Sequence, residues 1–333
     1  MFTGTKIDDA LYEDLESALL MADTGVKATQ RLITEDKVDA IIGPSGSPNA
    51  MGTIQFIAEA KTPMLAPVGT PAVVLPMDAQ KAWVFKTPQT DTMMVLAILE
   101  HAARRGMKTM GYIGFNDALG EAFHAEFEKF AETRKIRIVA SERYAPRDTS
   151  VTAQVLKLVA ANPDMVVIGA SGTPAVLPAR GLVERGYKGS VYFNHGVANN
   201  DFLRVGGKDI EGMFVPTSPV VVAEALPADH PAKAAALDYK KRYEAAYGAG
   251  SVSAFGSYTW DAWLELNQAI PVALKKGAPG TREFRVALRD ALEGLRDLKV
   301  SNGVVSMSKN DHLGLDQRAR VVVKVENNKW KLD

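Results

Sequence analysis

The sequence contains no cysteine, so it can build no disulfide framework, thiol nucleophile or thiolate metal site. It also carries no net charge, because 39 lysines and arginines balance 39 aspartates and glutamates. Without a basic surplus or a basic stripe, no nucleic-acid partner is expected. No apolar run approaches the ~18 residues of a membrane span. The opening residues, MFTGTKIDDALYEDLE, lack the basic segment and apolar stretch of a secretory signal. The chain as written is therefore expected to carry no export address.

Enzyme motifs are equally scarce. There is no Walker loop, no G-x-G-x-x-G and no H-E-x-x-H. GPSGS and GASGT approach the serine nucleophile elbow but lack its final glycine at the required spacing. The five histidines have no metal-ligand spacing. His101 and His124 fall on helical stretches and read as surface or boundary residues. Asp311, His312 and Asp316 match no EF-hand and read as turn and capping residues. Trp83, Trp260, Trp263 and Trp330 read as core. No catalytic group, cofactor or metal is expected.

What the sequence does have is alternation. Short apolar runs, as in VDAIIG, PMLA, TMGYIGF, MVVIG and SVYF, are separated by helical patterns over 24–36, 48–60, 93–105, 121–135, 150–161 and 174–185. Strands buried on both faces and alternating with helices predict α/β architecture with parallel sheets flanked by helices. From about Leu226 the pattern turns mainly helical, over 232–247, 258–276 and 282–295. The end, 318–331, alternates around Asn327-Asn328 and predicts an antiparallel hairpin. At 333 residues the chain has room for about two compact domains.

In open parallel sheets, ligands bind beyond the carboxyl ends of the strands. Four loops fall there, each small and polar: 43–48 (GPSGSP), 67–71 (PVGTP), 169–174 (GASGTP) and 193–200 (FNHGVANN). Ser47 before Pro48 reads as an N-cap with a first-turn proline. A helix start there suits an anion such as a carboxylate. Turn chemistry alone explains any one such loop; four in register invite a binding site. His195 lies in one of them, where it either bonds within its own loop or faces a ligand. Phe255, just before a helical stretch, either packs in a core or lines a cleft.

Taken in succession, DKVDAIIGP, TPMLAPVGTP, GYIGFNDALGEAF, NPDMVVIGASGTPA, FNHGVANNDF and IEGMFV resemble the branched-chain amino-acid receptor family of type I periplasmic solute-binding proteins. The similarity runs from about Lys6 to the end. The resemblance implies two Rossmann-like lobes joined by three hinge crossings, closing on a solute held in the cleft. It assigns 1–88 with 216–303 to one lobe and 89–215 with 304–333 to the other. It implies the solute-binding role of an ABC importer, in the periplasm, with a membrane permease as partner and no enzymatic activity. A ligand-sensing regulator of the same fold is the alternative.

Carried over by position, Ser45, Gly46 and Ser47 with Val68, Gly69 and Thr70 match the loops that hold an amino acid's α-carboxylate and ammonium. Second-lobe matches are poorer. Leu119 stands where the family has an aromatic residue, and Ser171 and Gly172, followed by Thr173, stand where it has others. His195 stands where the family has the acid that pairs with the ligand's ammonium. A buried ammonium without a counter-ion is costly, so the expected ligand is a small aromatic or branched aliphatic carboxylate, with an amino acid as the alternative. The resemblance further implies that the family's first strand and helix are missing here, which predicts low stability or self-association.

Overall fold

The computed structural model describes residues 25–333. The expectations about the missing first strand and about residues 1–24 lie outside the described residues. The chain divides into two compact units. One comprises the described chain up to Pro88 with Asp261–Arg296 and Ser306–Gly314; the other comprises Gln89–Trp260, Asp297–Val305 and Leu315–Asp333.

In the first unit, helix α1 (25–34) precedes strand β1 (Ile41–Ile42), helix α2 (Ser47–Ala60) and strand β2 (Met64–Ala66). Strand β3 (Val84–Lys86) completes a parallel sheet of order β1-β2-β3. The apolar runs read as strands are buried here: Ile41, Met64, Ala66 and Val84 pack with Ile54, Ile57 and Trp83 in one core. Strand β3 contains Lys86, which is fully buried and donates from Nζ to the Pro88 carbonyl. A lysine inside a three-residue strand breaks the apolar run, which is why the sequence pattern passes over it. Helix α10 (Arg282–Glu293) also belongs to this unit, capped by Thr281 Oγ1 accepting from Phe284 N at 3.2 Å. Such a cap stabilises a helix by about 1 kcal/mol.

The second unit begins with helix α3 (Asp91–Arg104) and strand β4 (Thr109–Phe115). It continues through α4 (Ala118–Phe130), β5 (Arg137–Tyr144), α5 (Thr152–Ala161), β6 (Met165–Gly169), α6 (Val176–Glu184) and β7 (Ser190–Phe193). Then come α7 (Asn200–Gly206), β8 (Phe214–Thr217) and α8 (Lys233–Tyr247). Helix α9 (Ala254–Ala273) starts in this unit and, from Asp261 on, belongs to the first. Strands β9 (Leu298–Val300) and β10 (Gly303–Val305) pair with each other. The hairpin β11 (Val321–Glu326) and β12 (Lys329–Leu332) turns at Asn327 and Asn328, both left-handed at φ 53° and 58°. That is the turn the paired asparagines predict.

Seven strands form one sheet in the order β12-β11-β8-β7-β6-β4-β5. Strands β4 to β8 run parallel, and the hairpin adds its strands antiparallel at one edge. Two cores cover its faces, one around Val166, Ile168 and Phe193, the other around Tyr112, Phe123 and Phe127. This confirms the α/β class, with helices on both sides of a mostly parallel sheet. The chain enters at β4, sends β5 to one side and β6 to the other. The strand order therefore reverses between β4 and β6, which is where open α/β sheets bind ligands.

Several side chains lie deeper than the sequence suggests. His101 and His124 are 4% and 8% exposed, so neither is a surface residue. His101 bridges the Tyr192 hydroxyl and the Asp333 carboxylate, each at 2.7 Å. His312 is buried and stacks on Phe85. Of the tryptophans, only Trp83 is fully in a core; Trp263 is exposed.

Candidate functional site

In the first unit, two loops leave the carboxyl ends of neighbouring parallel strands. Gly43 donates its N–H to the Leu65 carbonyl at 3.0 Å, so the first loop starts beside β2. Its φ of 125° lies where side chains are disfavoured, which explains a glycine there. Ser45 is exposed, while Gly46 and Ser47 are half-buried. Gly46, not Ser47, is the N-cap of α2; Ser47 is the first helical residue and supplies no side-chain cap. The second loop turns sharply after β2, with Val68 N donating to Ala66 O at 2.9 Å. Val68 is buried in the core. Thr70 spends its hydroxyl on Ala72 N at 3.2 Å. Beside Gly69 there is open space where a side chain would project.

The second unit brings its candidates closer together. Strands β4, β6 and β7 are adjacent, so their three following loops emerge side by side at the strand-order reversal. After β4, Asp117 caps α4, its Oδ1 accepting from Leu119 N and Gly120 N at 3.0 Å. Leu119 is exposed on the first turn of α4. After β6, Ser171, Gly172 and Thr173 are half-buried, and Gly172 takes a φ of 63°. After β7, Asn194 Oδ1 accepts from Gly196 N at 2.7 Å. Gly172 N donates to Gly196 O at 3.2 Å, which clamps the last two loops together. A side chain at position 196 would meet Ser171 Cβ at 2.8 Å, so glycine is required for this approach. Ser171, Gly172 and His195 thus form one patch, with Leu119 at the next strand end.

His195 is flanked by groups that no local motif marks. Asp91, on the first turn of α3, places Oδ1 3.9 Å from His195 Nδ1. The Phe123 ring from α4 is centred 6.4 Å away. Phe255 lies within the first turn of α9, 55% exposed and edge-on to Tyr258. Below the patch, burial raises the Tyr144 hydroxyl far above its ordinary pKa, so it stays protonated and donates to Pro174 O at 3.2 Å. Burial likewise holds the Tyr112 hydroxyl protonated, donating to Gly120 O at 2.7 Å. Two tyrosines therefore support the loops after β6 and β4 from beneath. Among the described residues, no three His, Asp or Glu side chains gather as a metal site, and no helix is long and apolar enough to cross a membrane.

A profile of the periplasmic binding protein family matches residues 20–329. The chain belongs to the periplasmic binding protein family. An extracellular ligand-binding receptor from Rhodopseudomonas palustris HaA2 is 39% identical, over 94% of this chain and 86% of its own, with a TM-score of 0.86. A second receptor so described from the same strain is also 39% identical over the same shares, at a TM-score of 0.85. More distant is an ABC transporter solute-binding protein from R. palustris in complex with benzoate. It is 18% identical over 93% of this chain and 81% of its own, at a TM-score of 0.72, a likeness of fold alone. No curated protein matches the chain. The periplasmic binding protein family and these neighbours are binding proteins.

Proposed function

We propose that this periplasmic binding protein is the solute-binding component of an ABC importer for a small aromatic or branched aliphatic carboxylate. The observation that carries the reading is the patch of Ser171, Gly172 and His195 at the strand-order reversal of the second unit. Its polar groups are hydroxyl, backbone N–H and imidazole, all capable of donating to a carboxylate. Leu119 at the next strand end offers an apolar contact for the ligand's body. A benzoate complex of a protein with this fold is compatible with the ligand class. In the importer the protein works in the periplasm and delivers its solute to a membrane permease.

Asp91 favours a second reading. A carboxylate 3.9 Å from His195 restores an anionic group to the patch, and an amino acid's ammonium would pair with it. A thermal-shift panel separates the two. A ligand at 100 times its Kd adds about 2.7 kcal/mol of stability. Benzoate, 4-methylpentanoate and 4-methyl-2-oxopentanoate are expected to raise Tm, and leucine is not. Stabilisation by leucine with none from the acids refutes the carboxylate reading.

A further inference from the structure

The surroundings of His195 point to a division of labour that the family resemblance does not contain. The loop backbone at His195 is fixed by two bonds, Asn194 Oδ1 accepting from Gly196 N and Gly172 N donating to Gly196 O. These bonds set where the imidazole starts. Asp91 is the acid beside it, with Oδ1 3.9 Å from Nδ1. Helix α3 does not need Asp91 as a cap, because Thr90 Oγ1 already accepts from Met93 N at 3.3 Å. Both side chains are mostly shielded, His195 at 18% and Asp91 at 23% exposure, so their interaction is only partly screened by water. The Phe123 ring is centred 6.4 Å from the imidazole and adds low-dielectric surroundings.

We propose that Asp91 is a positioning residue that turns His195 so that Nδ1–H faces Asp91 and Nε2–H faces the solute carboxylate. The imidazolium then bridges two carboxylates, one from the protein and one from the ligand. A histidine held this way has its ring orientation set by the group on its other nitrogen. The arrangement selects for monocarboxylates. With Asp91 committed to the ring, it is not available to an α-ammonium, and an amino acid would bring its charge to an imidazolium. This inference rests on the carboxylate reading of the site.

Nitrogen-15 NMR of the full chain saturated with benzoate tests the ring directly. The expected spectrum has both His195 nitrogens protonated, with the Nδ1 resonance moved by Asp91→Asn. Calorimetry with benzoate and 4-methyl-2-oxopentanoate supplies the second readout. Asp91→Asn is expected to weaken acid binding about tenfold, the loss of about 1.4 kcal/mol, and Asp91→Glu to recover most of it. A role confined to helix stability would leave the ring spectrum unchanged. Acid binding by the wild type with an unmoved ring and equal affinity in Asp91→Asn overturns the role of Asp91 alone. No acid binding by the wild type overturns the carboxylate reading and this inference with it. Leucine binding that Asp91→Asn abolishes assigns Asp91 to an ammonium and overturns both. Should Asp91→Asn fail to fold, the wild-type spectrum still decides: a singly protonated ring in the benzoate complex refutes the bridge.

Discussion

Replacing Gly169 by alanine strikes the support beneath the candidate site. Gly169 ends β6 and pairs in register with Gly114 of β4. The Tyr112 ring crosses both glycines. A Cβ at 169 would come within 1.8 Å of the Tyr112 hydroxyl oxygen and 2.4 Å of Cζ. Tyr112 is fully buried against Phe127 and His124, so the ring has little room to yield. Overpacking a tight core costs about 1–3 kcal/mol. Displacing the ring also breaks the 2.7 Å bond from Tyr112 to Gly120 O, about another 1 kcal/mol. The expected loss is thus roughly 2–4 kcal/mol. At ~2–4 °C per kcal/mol for a chain of ordinary size, thermal melting by circular dichroism should show a fall of about 4–16 °C. Tyr112→Phe removes the closest clashing atom, so the double variant should lose less than the sum of the two single changes. A Gly169→Ala protein melting within 1 °C of the wild type would refute the account of how β4 and β6 are spaced.

Three further outcomes follow from buried or strained groups. Glu265 is 1% exposed with neither carboxyl oxygen hydrogen-bonded, and burial followed by the Asp261 charge raises its pKa well above the carboxylate range. A raised carboxyl costs nothing below about pH 4.5 and progressively more above it. Glu265→Met should therefore stabilise the protein by about 1–3 kcal/mol at neutral pH, with a larger gain in chemical denaturation at pH 8 than at pH 5. For His101 the sign is opposite: burial lowers its pKa below the ordinary 6.5 despite Asp333. Its contribution is complete above pH 6.5 and falls as the pH drops, so the Tm gap between wild type and His101→Gln should narrow from pH 7 to pH 5. In the hairpin turn, Asn328→Val forces a β-branched residue to a φ of 58° and should cost about 1–2 kcal/mol; an unchanged urea midpoint would contradict the turn assignment.

Much of the fold was legible because its strands are buried on both faces. VDAII, TMGYIGF, MVVIG and SVYF stand out as apolar runs, and Asn327-Asn328 marks the hairpin. Strand β3 was not legible, since Lys86 sits buried within it. Leu119 after β4 came only from the family resemblance, whereas the candidate loops after β6 and β7 could be placed from their glycines and hydroxyls. What they touch could not. Asp91 reaches His195 from a helix start with no local motif, and only the sheet order brings them together. The depth of His101 was hidden for a related reason: its partners, Tyr192 and Asp333, come from a central strand and the last residue. Val68 shows the converse, a loop residue whose side chain turned out to belong to the core.

Calorimetry tests the central claim most directly. Benzoate, 4-methylpentanoate, 4-methyl-2-oxopentanoate and leucine are titrated in turn into the purified protein. The account predicts saturable one-to-one binding of at least one of the acids and no heat of binding from leucine. Tight one-to-one binding of leucine, with none of the acids bound, would contradict it.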